Sequence, residues 1–176
     1  MPQVNQRQYA RLLNRIWTDP TWRGLSHHAQ WLYIAALSHP TLTYAGTIDY
    51  YPKRLAALSE TTTPDTIDAA AEELQAAHYL IIDHDTDEAL IRSFHRNDET
   101  IKQPNLATRV ARDITQIASI ALITAVTNEL HRLHTEQPYL TGWKTREMWQ
   151  HLQHHPPTIN IPQPDPDTHT DQEVNN

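Results

Sequence analysis

The clearest apolar pattern in the chain recurs at helical spacing between residues 26 and 37. Its positions fall at i, i+3, i+4, i+7 and i+8, on one face of a helix, and they are Ala29, Leu32, Tyr33, Ala36 and Leu37. Ser26 stands just before them, where a side-chain oxygen caps the free amides of a first helical turn. The pattern predicts a core helix that ends at His39 and Pro40.

Residues 46–96 alternate between strand patterns and helix patterns. Residues 47–50 predict a short strand, and Pro52 starts a short helix, because a first helical position needs no N–H. Thr63 is predicted to cap the next helix, which Pro64 begins. The inward face of that helix holds Ile67, Ala70, Ala71, Leu74 and Ala77. Apolar runs at 79–82 and 89–91 flank a polar tip at 83–88, so the whole segment predicts a winged helix-turn-helix.

The rest of the chain gives one strand pattern and one long helical pattern. Residues 9–17 alternate in strand phase and predict an opening strand, and residues 21–25 predict one helical turn. Residues 106–134 predict a single long helix that is apolar nearly all round between residues 117 and 126 and ends before Pro138. Such a helix must be covered on every side, either by the domain plus a partner or by a second copy of itself.

These elements predict a mainly helical protein with a small antiparallel sheet, of the α+β class. The predicted organisation is a winged helix domain over residues 7–97, a connector over 98–105, a long and a short helix over 106–153, and a tail over 154–176. The short helix is predicted from the apolar residues Trp143, Met148, Trp149 and Leu152. The tail is rich in proline and acid and poor in apolar residues, which predicts disorder.

Charge is distributed unevenly over the 176 residues, whose formal net charge is −7. Residues 1–104 carry 9 basic and 13 acidic groups, residues 105–153 carry 5 and 4, and residues 154–176 carry 0 and 4. This distribution argues against indiscriminate binding of nucleic acid. The chain has no cysteine, no signal pattern at its start and no apolar run of membrane-spanning length. We therefore expect a soluble, cytoplasmic protein without a membrane partner.

Several stretches resemble a known group of proteins. They are the sequence WTDPTWRGLSHHAQWLY at 17–33, the turn at 44–46, the sequence DHDTDEALIRSFHR at 83–96, and KQPN at 102–105. With the order strand, helix, helix, this combination resembles the winged-helix proteins encoded beside replication genes in phages and prophages of actinobacteria. It is similar in arrangement to the N-terminal domains of phage replisome organisers. The resemblance implies binding to an origin and recruitment of replication proteins.

The resemblance covers about residues 9–105 and carries over architecture only. The matching positions are Asp19, Pro20, Leu25, Ala29, Gln30, Leu32, Tyr33, Gly46, Asp83, Thr86, Arg92 and Ser93. None of them is a catalytic signature, and the chain has no phosphate loop, nucleophile elbow or cofactor fingerprint. We expect a protein that is not an enzyme and has no cofactor.

The second helix of the predicted helix-turn-helix has no basic residue at its exposed positions. These are Asp65, Thr66, Asp68, Ala69, Glu72, Glu73, Gln75 and Ala76. Carboxylates accept from cytosine amino groups, but phosphates repel them, and phosphate contacts dominate DNA affinity. Asp65 is explained by the partial positive charge at a helix start. The objection to DNA binding by this helix therefore rests on Asp68, Glu72 and Glu73. A solvated or protein-binding face is the alternative.

Candidate DNA contacts are basic side chains and threonine hydroxyls around that helix. They are Lys53, Arg54, Thr62, Thr63, Thr66, Arg92, Arg96, Lys102, Arg109 and Arg112. A second basic set near the start is Arg7, Arg11 and Arg15. The alternative is an ordinary salt-bridged surface, with Arg92 paired to Asp83 or another acid of the wing. Candidate dimerisation residues are Ile117, Ile120, Leu122, Ile123 and Val126.

Two patterns suggest metal sites only faintly. The alternating acids at 83–88 lack the glycine and the glutamate of a calcium loop, with Phe94 at the glutamate position. His131 and His134, and likewise His151, His154 and His155, have helical spacing, but no cysteine or second shell supports them. We expect no metal.

The function predicted from the sequence is sequence-specific binding of double-stranded DNA by a phage or prophage protein, in replication initiation or transcription regulation. A homodimer would bind a two-fold site, with replication or transcription proteins as further partners. The alternative is a winged-helix adaptor whose acidic second helix binds a basic protein and makes no base contacts.

Overall fold

The computed structural model describes residues 10–158. Within them the α-helices are α1 (Pro20–Gly24), α2 (His27–Leu37), α3 (Pro52–Ala56), α4 (Pro64–Ala76), α5 (Phe94–Asp98), α6 (Pro104–Ile114), α7 (Ile120–Glu136) and α8 (Arg146–His154). The strands are β1 (Thr47–Asp49), β2 (Leu80–Asp83) and β3 (Glu88–Ile91). Short 3-10 helices span Asn14–Thr18, Thr100–Lys102 and Thr141–Lys144. The predicted α+β class, mainly helical with a small antiparallel sheet, is confirmed.

The three strands form one antiparallel sheet in the order β1-β3-β2. Thr47 is opposite Leu90, and Leu80 is opposite Ile91. The chain order α2, β1, α3, α4, β2, β3 and this strand order are consistent with a winged helix-turn-helix, in which β2 and β3 form the wing.

Both faces of this sheet are covered by protein. Side chains alternate across a strand, so Leu80 and Ile91 point into a first core while Ile81 and Leu90 point into a second. The first core is built by α1 to α4, with Trp22, Leu32 and Leu74 near its centre. The second core is built by α6 to α8, with buried residues Val110, Ile114, Leu122, Leu130 and Met148.

The predicted helix starts are confirmed by their hydrogen bonds. The Ser26 hydroxyl accepts from the amide of Ala29 at 3.1 Å, and the Thr63 hydroxyl accepts from the amide of Thr66 at 3.2 Å. Pro52 and Pro64 occupy the first positions of α3 and α4. Each cap satisfies an amide that the helix itself leaves without a partner, which is why polar residues precede the apolar patterns.

The opening strand predicted over residues 9–17 is wrong for the described part. Residues Asn14–Thr18 form a 3-10 helix, held by local bonds from the amide of Ile16 to the carbonyl of Leu13 and from the amide of Asp19 to the carbonyl of Ile16. Ile16 packs against the first core. An alternating run forms a strand only where a sheet edge accepts its backbone bonds, and here they are satisfied locally.

The single long helix predicted over residues 106–134 is also wrong, because α6 ends at Ile114 and α7 begins at Ile120. Thr115 donates its hydroxyl to the carbonyl of Arg112, and Ser119 caps α7 by accepting from the amide of Leu122 at 3.1 Å. Hydroxyl side chains compete with the helical backbone in this way and favour helix ends. The break lets α7 fold back, and the chain itself then covers most of the apolar belt.

Two other predicted segments differ from the structure or lie outside it. The predicted connector at 98–105 contains the 3-10 helix Thr100–Lys102, in which Thr100 and Ile101 are buried. Of the predicted tail, residues 154–158 are described, and residues 159–176 lie outside the described residues, as does Arg7. Among the described helices, none has the length and hydropathy to cross a membrane.

Candidate nucleic-acid interface

The start of α4 and the neighbouring α3 present two cations and three hydroxyls, the third being that of Thr62, directly before the Thr63 cap. Lys53 and Arg54 are exposed on α3, and the guanidinium of Arg54 lies 4.5 Å from the ring centroid of Tyr51. The hydroxyls of Thr63 and Thr66 are 2.9 Å apart at the start of α4. Because a helix start carries partial positive charge, this region is the part of the helix-turn-helix best suited to an anion.

Two carboxylates of α4 have partners within the protein. Asp68 accepts a hydrogen bond of 2.9 Å from the hydroxyl of Tyr50, and burial together with this bond raises the pKa of Tyr50. Glu73 accepts from the amide and from the hydroxyl of Ser26, both at 2.6 Å. These contacts fix α4 to Tyr50, the residue after β1, and to the cap of α2. The acids left on the exposed face without such a role in the fold are Asp65 and Glu72.

The acids of the wing bind the start of α7. Glu88 accepts from the amides of Ala118 at 3.1 Å and Ser119 at 2.8 Å, and Asp83 accepts from the Ser119 hydroxyl. The Ser119 hydroxyl is the main cause that lowers the pKa of Asp83. We call Asp83, Glu88 and Ser119 the wing clasp. Carboxylates suit this place because the free amides of a helix start need acceptors.

The predicted cation contacts have different surroundings in the structure. Arg96 is largely buried, with 16% of its side chain exposed, and it bonds to Glu136 at 2.7 Å and Glu129 at 3.3 Å. Burial raises the pKa of Glu129 although Arg132 and Arg96 oppose that shift. Arg92 donates to the carbonyl of His78 at 3.4 Å. Arg96 therefore joins α5 to α7 and does not face a ligand.

A second group of cations lies on α6 and on the 3-10 helix that precedes it. Lys102 bonds to Glu99 at 2.6 Å, and Glu99 also bonds to Arg11 at 2.6 Å. Arg109 lies 4.6 Å from the ring centroid of Tyr44. Arg112 is 69% exposed and bonds to Glu147 at 3.3 Å. The predicted DNA contacts thus fall into two groups, one on each core.

The buried histidines are structural groups that the sequence did not reveal. His95 donates from Nε2 to the carbonyl of Ala45 at 3.1 Å and accepts at Nδ1 from the hydroxyl of Thr100 at 3.0 Å. Burial lowers its pKa to about 4. Burial likewise lowers the pKa of His151, which bonds to the hydroxyl of Thr127, to about 4. No cluster of three or more potential metal ligands occurs among residues 10–158.

The proposed dimerisation residues lie mostly inside the chain. Ile117, Leu122 and Val126 are buried in the second core, and Ile123 packs against it. Ile120 is 80% exposed. The belt that suggested a second copy is therefore covered largely by the chain's own second core, although pairing itself stays a prediction.

The fold is thus that of an α+β protein in which a helix pair and a hairpin share a three-stranded antiparallel sheet, joined to a second helical core. Comparison with protein-family models gave no match, and neither did comparison with curated proteins or with solved structures.

Proposed function

We propose that this protein binds double-stranded DNA in a sequence-specific way, docking through α3 and the start of α4. The observation that carries the proposal is the exposed pair Lys53 and Arg54 on α3, which packs against α4, the helix that begins at the Thr63 cap. In a helix-turn-helix the first helix crosses the phosphate backbone while the second enters the major groove. Lys53 and Arg54 lie on α3, which in this arrangement is the helix that crosses the phosphate backbone.

The acids of α4 weigh less against this function than the sequence suggests. Asp68 and Glu73 hold the domain together, so their presence is explained by folding. Asp65 and Glu72 remain exposed, and carboxylates in a major groove accept from the amino group of cytosine. Lys102, Arg109 and Arg112 form a second proposed phosphate contact on the other core, and Arg96 leaves the proposed surface because it is paired internally.

The resemblance of residues 9–105 to phage and prophage winged-helix proteins supports a role in replication initiation or transcription regulation, in the cytoplasm. Homodimer formation belongs to the same proposal, with Ile120 as the exposed remainder of the apolar belt. Light scattering that shows a stable monomer at micromolar concentration contradicts pairing and leaves DNA binding untouched.

Selection from a random duplex pool at moderate salt tests the proposal. We expect an enriched motif, and an affinity that falls steeply with salt, by roughly one logarithmic unit of slope for each phosphate contact. Lys53→Glu and Arg54→Glu should each weaken binding at least about tenfold and reduce that slope. Lys144→Glu is the matched control, since Lys144 is exposed on the second core and outside both proposed contacts. No enrichment, or equal loss in all three variants, contradicts the proposal.

A second candidate function is a protein-binding adaptor. It is favoured by the exposed stripe of Asp65, Ala69, Glu72 and Ala76 on α4, which contains no cation. Under this alternative a basic partner contacts the stripe, no duplex binds in a salt-dependent way, and Glu72→Lys abolishes partner capture while Lys53→Glu does not. Under the DNA proposal Glu72→Lys retains duplex binding and changes the selected motif.

A further inference from the structure

A cavity of 330 Å³ lies against the first core, between residues 11–19, α2 and α5. Three of its walls are the rings of Tyr33, Tyr79 and Phe94, whose side chains are between 2% and 6% exposed. Tyr33 and Tyr79 meet edge to face, with their ring centroids 5.3 Å apart. The aliphatic part of the lining is Leu12, Leu13, Ile16 and Leu37.

The size of this cavity suits a small organic molecule. At roughly 30 Å³ per water molecule, it has room for on the order of ten waters, which is enough space for a bicyclic ring. Ligand sites in proteins start at about 300 Å³ and combine apolar and aromatic walls with a few polar groups that orient the ligand. The polar groups of this lining therefore decide which ligand it fits.

The charged residues of the lining cancel one another. They are Arg11, Arg15, Asp19 and Asp98. Arg11 bonds to Glu99 at 2.6 Å, and Asp19 accepts from the hydroxyl of Tyr79 at 3.2 Å while it caps α1. Thr18 donates its hydroxyl to the carbonyl of Arg15 at 2.8 Å. An ion of either sign would meet no net opposite charge here, so this lining favours an uncharged ligand.

The uncharged polar groups form a hydrogen-bonded row beside α5. The hydroxyls of Tyr33 and Ser93 are 3.3 Å apart, and Asn97 donates from Nδ2 to the Ser93 hydroxyl at 3.1 Å. The Oδ1 atom of Asn97 accepts from Arg15 at 3.3 Å. A carboxamide has two N–H donors and two lone pairs on its oxygen. Among residues 10–158, the side chain of Asn97 therefore keeps one donor and one acceptor for a ligand.

We propose that this cavity binds an uncharged, flat heteroaromatic molecule that carries both a hydrogen-bond donor and an acceptor, which is the chemistry of a nucleobase. The rings of Tyr33, Tyr79 and Phe94 offer aromatic contact to such a molecule. Asn97 pairs with its polar edge, as asparagine does with the edge of adenine. No lining residue belongs to α3 or α4, so this site is separate from the proposed DNA contact.

Titration of 2-aminopurine with the full-length protein, followed by fluorescence anisotropy, tests the proposal. We expect saturable binding. Asn97→Leu removes the donor and the acceptor at similar size and should weaken binding about tenfold or more. Asn105→Leu is the matched control, because Asn105 is exposed on α6 and lies outside the cavity. Absence of saturable binding, or equal binding by the two variants, overturns the proposal.

A second pair of variants tests the location of the site. Leu37→Trp should abolish binding of 2-aminopurine, because the larger side chain occupies the cavity. Leu58→Trp should bind as the natural chain does, since Leu58 is 53% exposed and outside the cavity. Equal binding by these two variants overturns the location. Circular dichroism of all four variants confirms that folded chains are compared.

Two competitors test the class of ligand. Indole is a bicyclic ring with a donor and no ring-nitrogen acceptor, so it should displace 2-aminopurine several-fold less well than adenine does. Adenosine monophosphate should compete no better than adenosine, because the charges of the lining cancel. Competition by indole equal to that of adenine overturns the heteroaromatic assignment, and stronger competition by the phosphate overturns the preference for an uncharged ligand.

Discussion

At the scale of single residues, two glycines show how closely the parts of the chain approach one another. Gly46 has a φ of +85°, and a Cβ there would lie 2.9 Å from Phe94. A Cβ on Gly142 would lie 2.3 Å from the carbonyl oxygen of Ile101 and 2.7 Å from the Cβ of Ala107. Backbone atoms and a buried methyl group cannot move aside cheaply. Gly142 therefore lets the 3-10 helix Thr141–Lys144 approach both Ile101 and α6 closely.

Gly142→Ala should lower the free energy of unfolding by at least about 2 kcal/mol, because the added methyl overpacks a dense site. Gly24→Ala is the matched control, since nothing lies within 4 Å of a Cβ there. That change should leave stability unchanged or raise it by up to about 1 kcal/mol, as expected for alanine in a helix. Urea unfolding measures both. Equal effects of the two substitutions contradict the described packing.

His95 predicts a dependence of stability on pH. Its pKa is about 4 in the folded chain, and an unfolded histidine has a pKa of about 6.5. Between these values the unfolded state binds more protons, so the free energy of unfolding falls as pH falls through this window. One such group costs about 2 kcal/mol between about pH 7.5 and about pH 5. His151 acts in the same direction.

Urea unfolding at both pH values, on the natural chain and on His95→Gln, measures this contribution. The variant cannot take up the proton, so its stability should vary less with pH by about 2 kcal/mol. His84→Gln is the control, because His84 is exposed. A pH dependence that His95→Gln leaves unchanged contradicts the assignment of a neutral, buried His95.

At the scale of elements, the wing clasp changes the role of the hairpin. In a DNA-binding winged helix the wing is a natural candidate for a groove contact. Here Asp83 and Glu88 accept from the first residues of α7, so the hairpin holds a helix start. Two of the four acids of the tip, Asp83 and Glu88, are therefore explained by their role in the fold.

Ser119→Ala should lower the free energy of unfolding by about 1 to 2 kcal/mol, since it removes the cap of α7 and one partner of Asp83. Glu88→Gln should cost less, because the amide oxygen still accepts. Ser38→Ala is the control, because the Ser38 hydroxyl is exposed and caps no helix start. Thermal unfolding followed by circular dichroism measures all three. A Ser119→Ala variant as stable as Ser38→Ala contradicts the clasp.

The sequence predicted those elements whose causes are local. Ser26, Thr63 and Pro64 mark helix starts within a few residues of the apolar stripes that follow, so α2 and α4 could be predicted. The break at Thr115 to Ser119 was missed because apolar residues on both sides continue the helical spacing. The partners of Glu73 and Glu88 are 47 and 31 residues away, at Ser26 and Ser119, and nothing local distinguishes those acids from solvated ones. Long-range partners decide the candidate site, so much of it could not be predicted.

At the scale of the whole molecule, the two cores share the sheet. Ala45 and Leu90 come from the predicted winged helix segment but are buried among α6, α7 and α8. Asp113 on α6 accepts from the amide of Tyr44 at 2.7 Å, and His95 bonds across from α5 to the carbonyl of Ala45. These contacts tie residues 44–46 to the helices that follow them.

A fragment that ends at residue 103 should therefore fail to unfold cooperatively, because it leaves the second face of the sheet uncovered and removes the partner of Tyr44. Thermal unfolding by circular dichroism and the dispersion of amide proton signals measure this, with the full chain as reference. A sharp transition and dispersed signals from the fragment contradict the shared core and support an independent winged helix domain.

A sheet with two apolar faces does not specify its own register by burial. In an ordinary half-exposed hairpin, a slip by one residue turns the apolar set towards water. Here a slip by one residue would replace Ile81 and Leu90 on their face of the sheet by neighbouring residues that are also apolar, so burial would hardly change. The register must therefore be set by the turn that joins β2 to β3. In that turn Asp87 has a left-handed φ of 55°, and Asp83 accepts a hydrogen bond from the amide of Asp85 at 2.9 Å. The polar wing tip thus sets the register in which β2 pairs with β3.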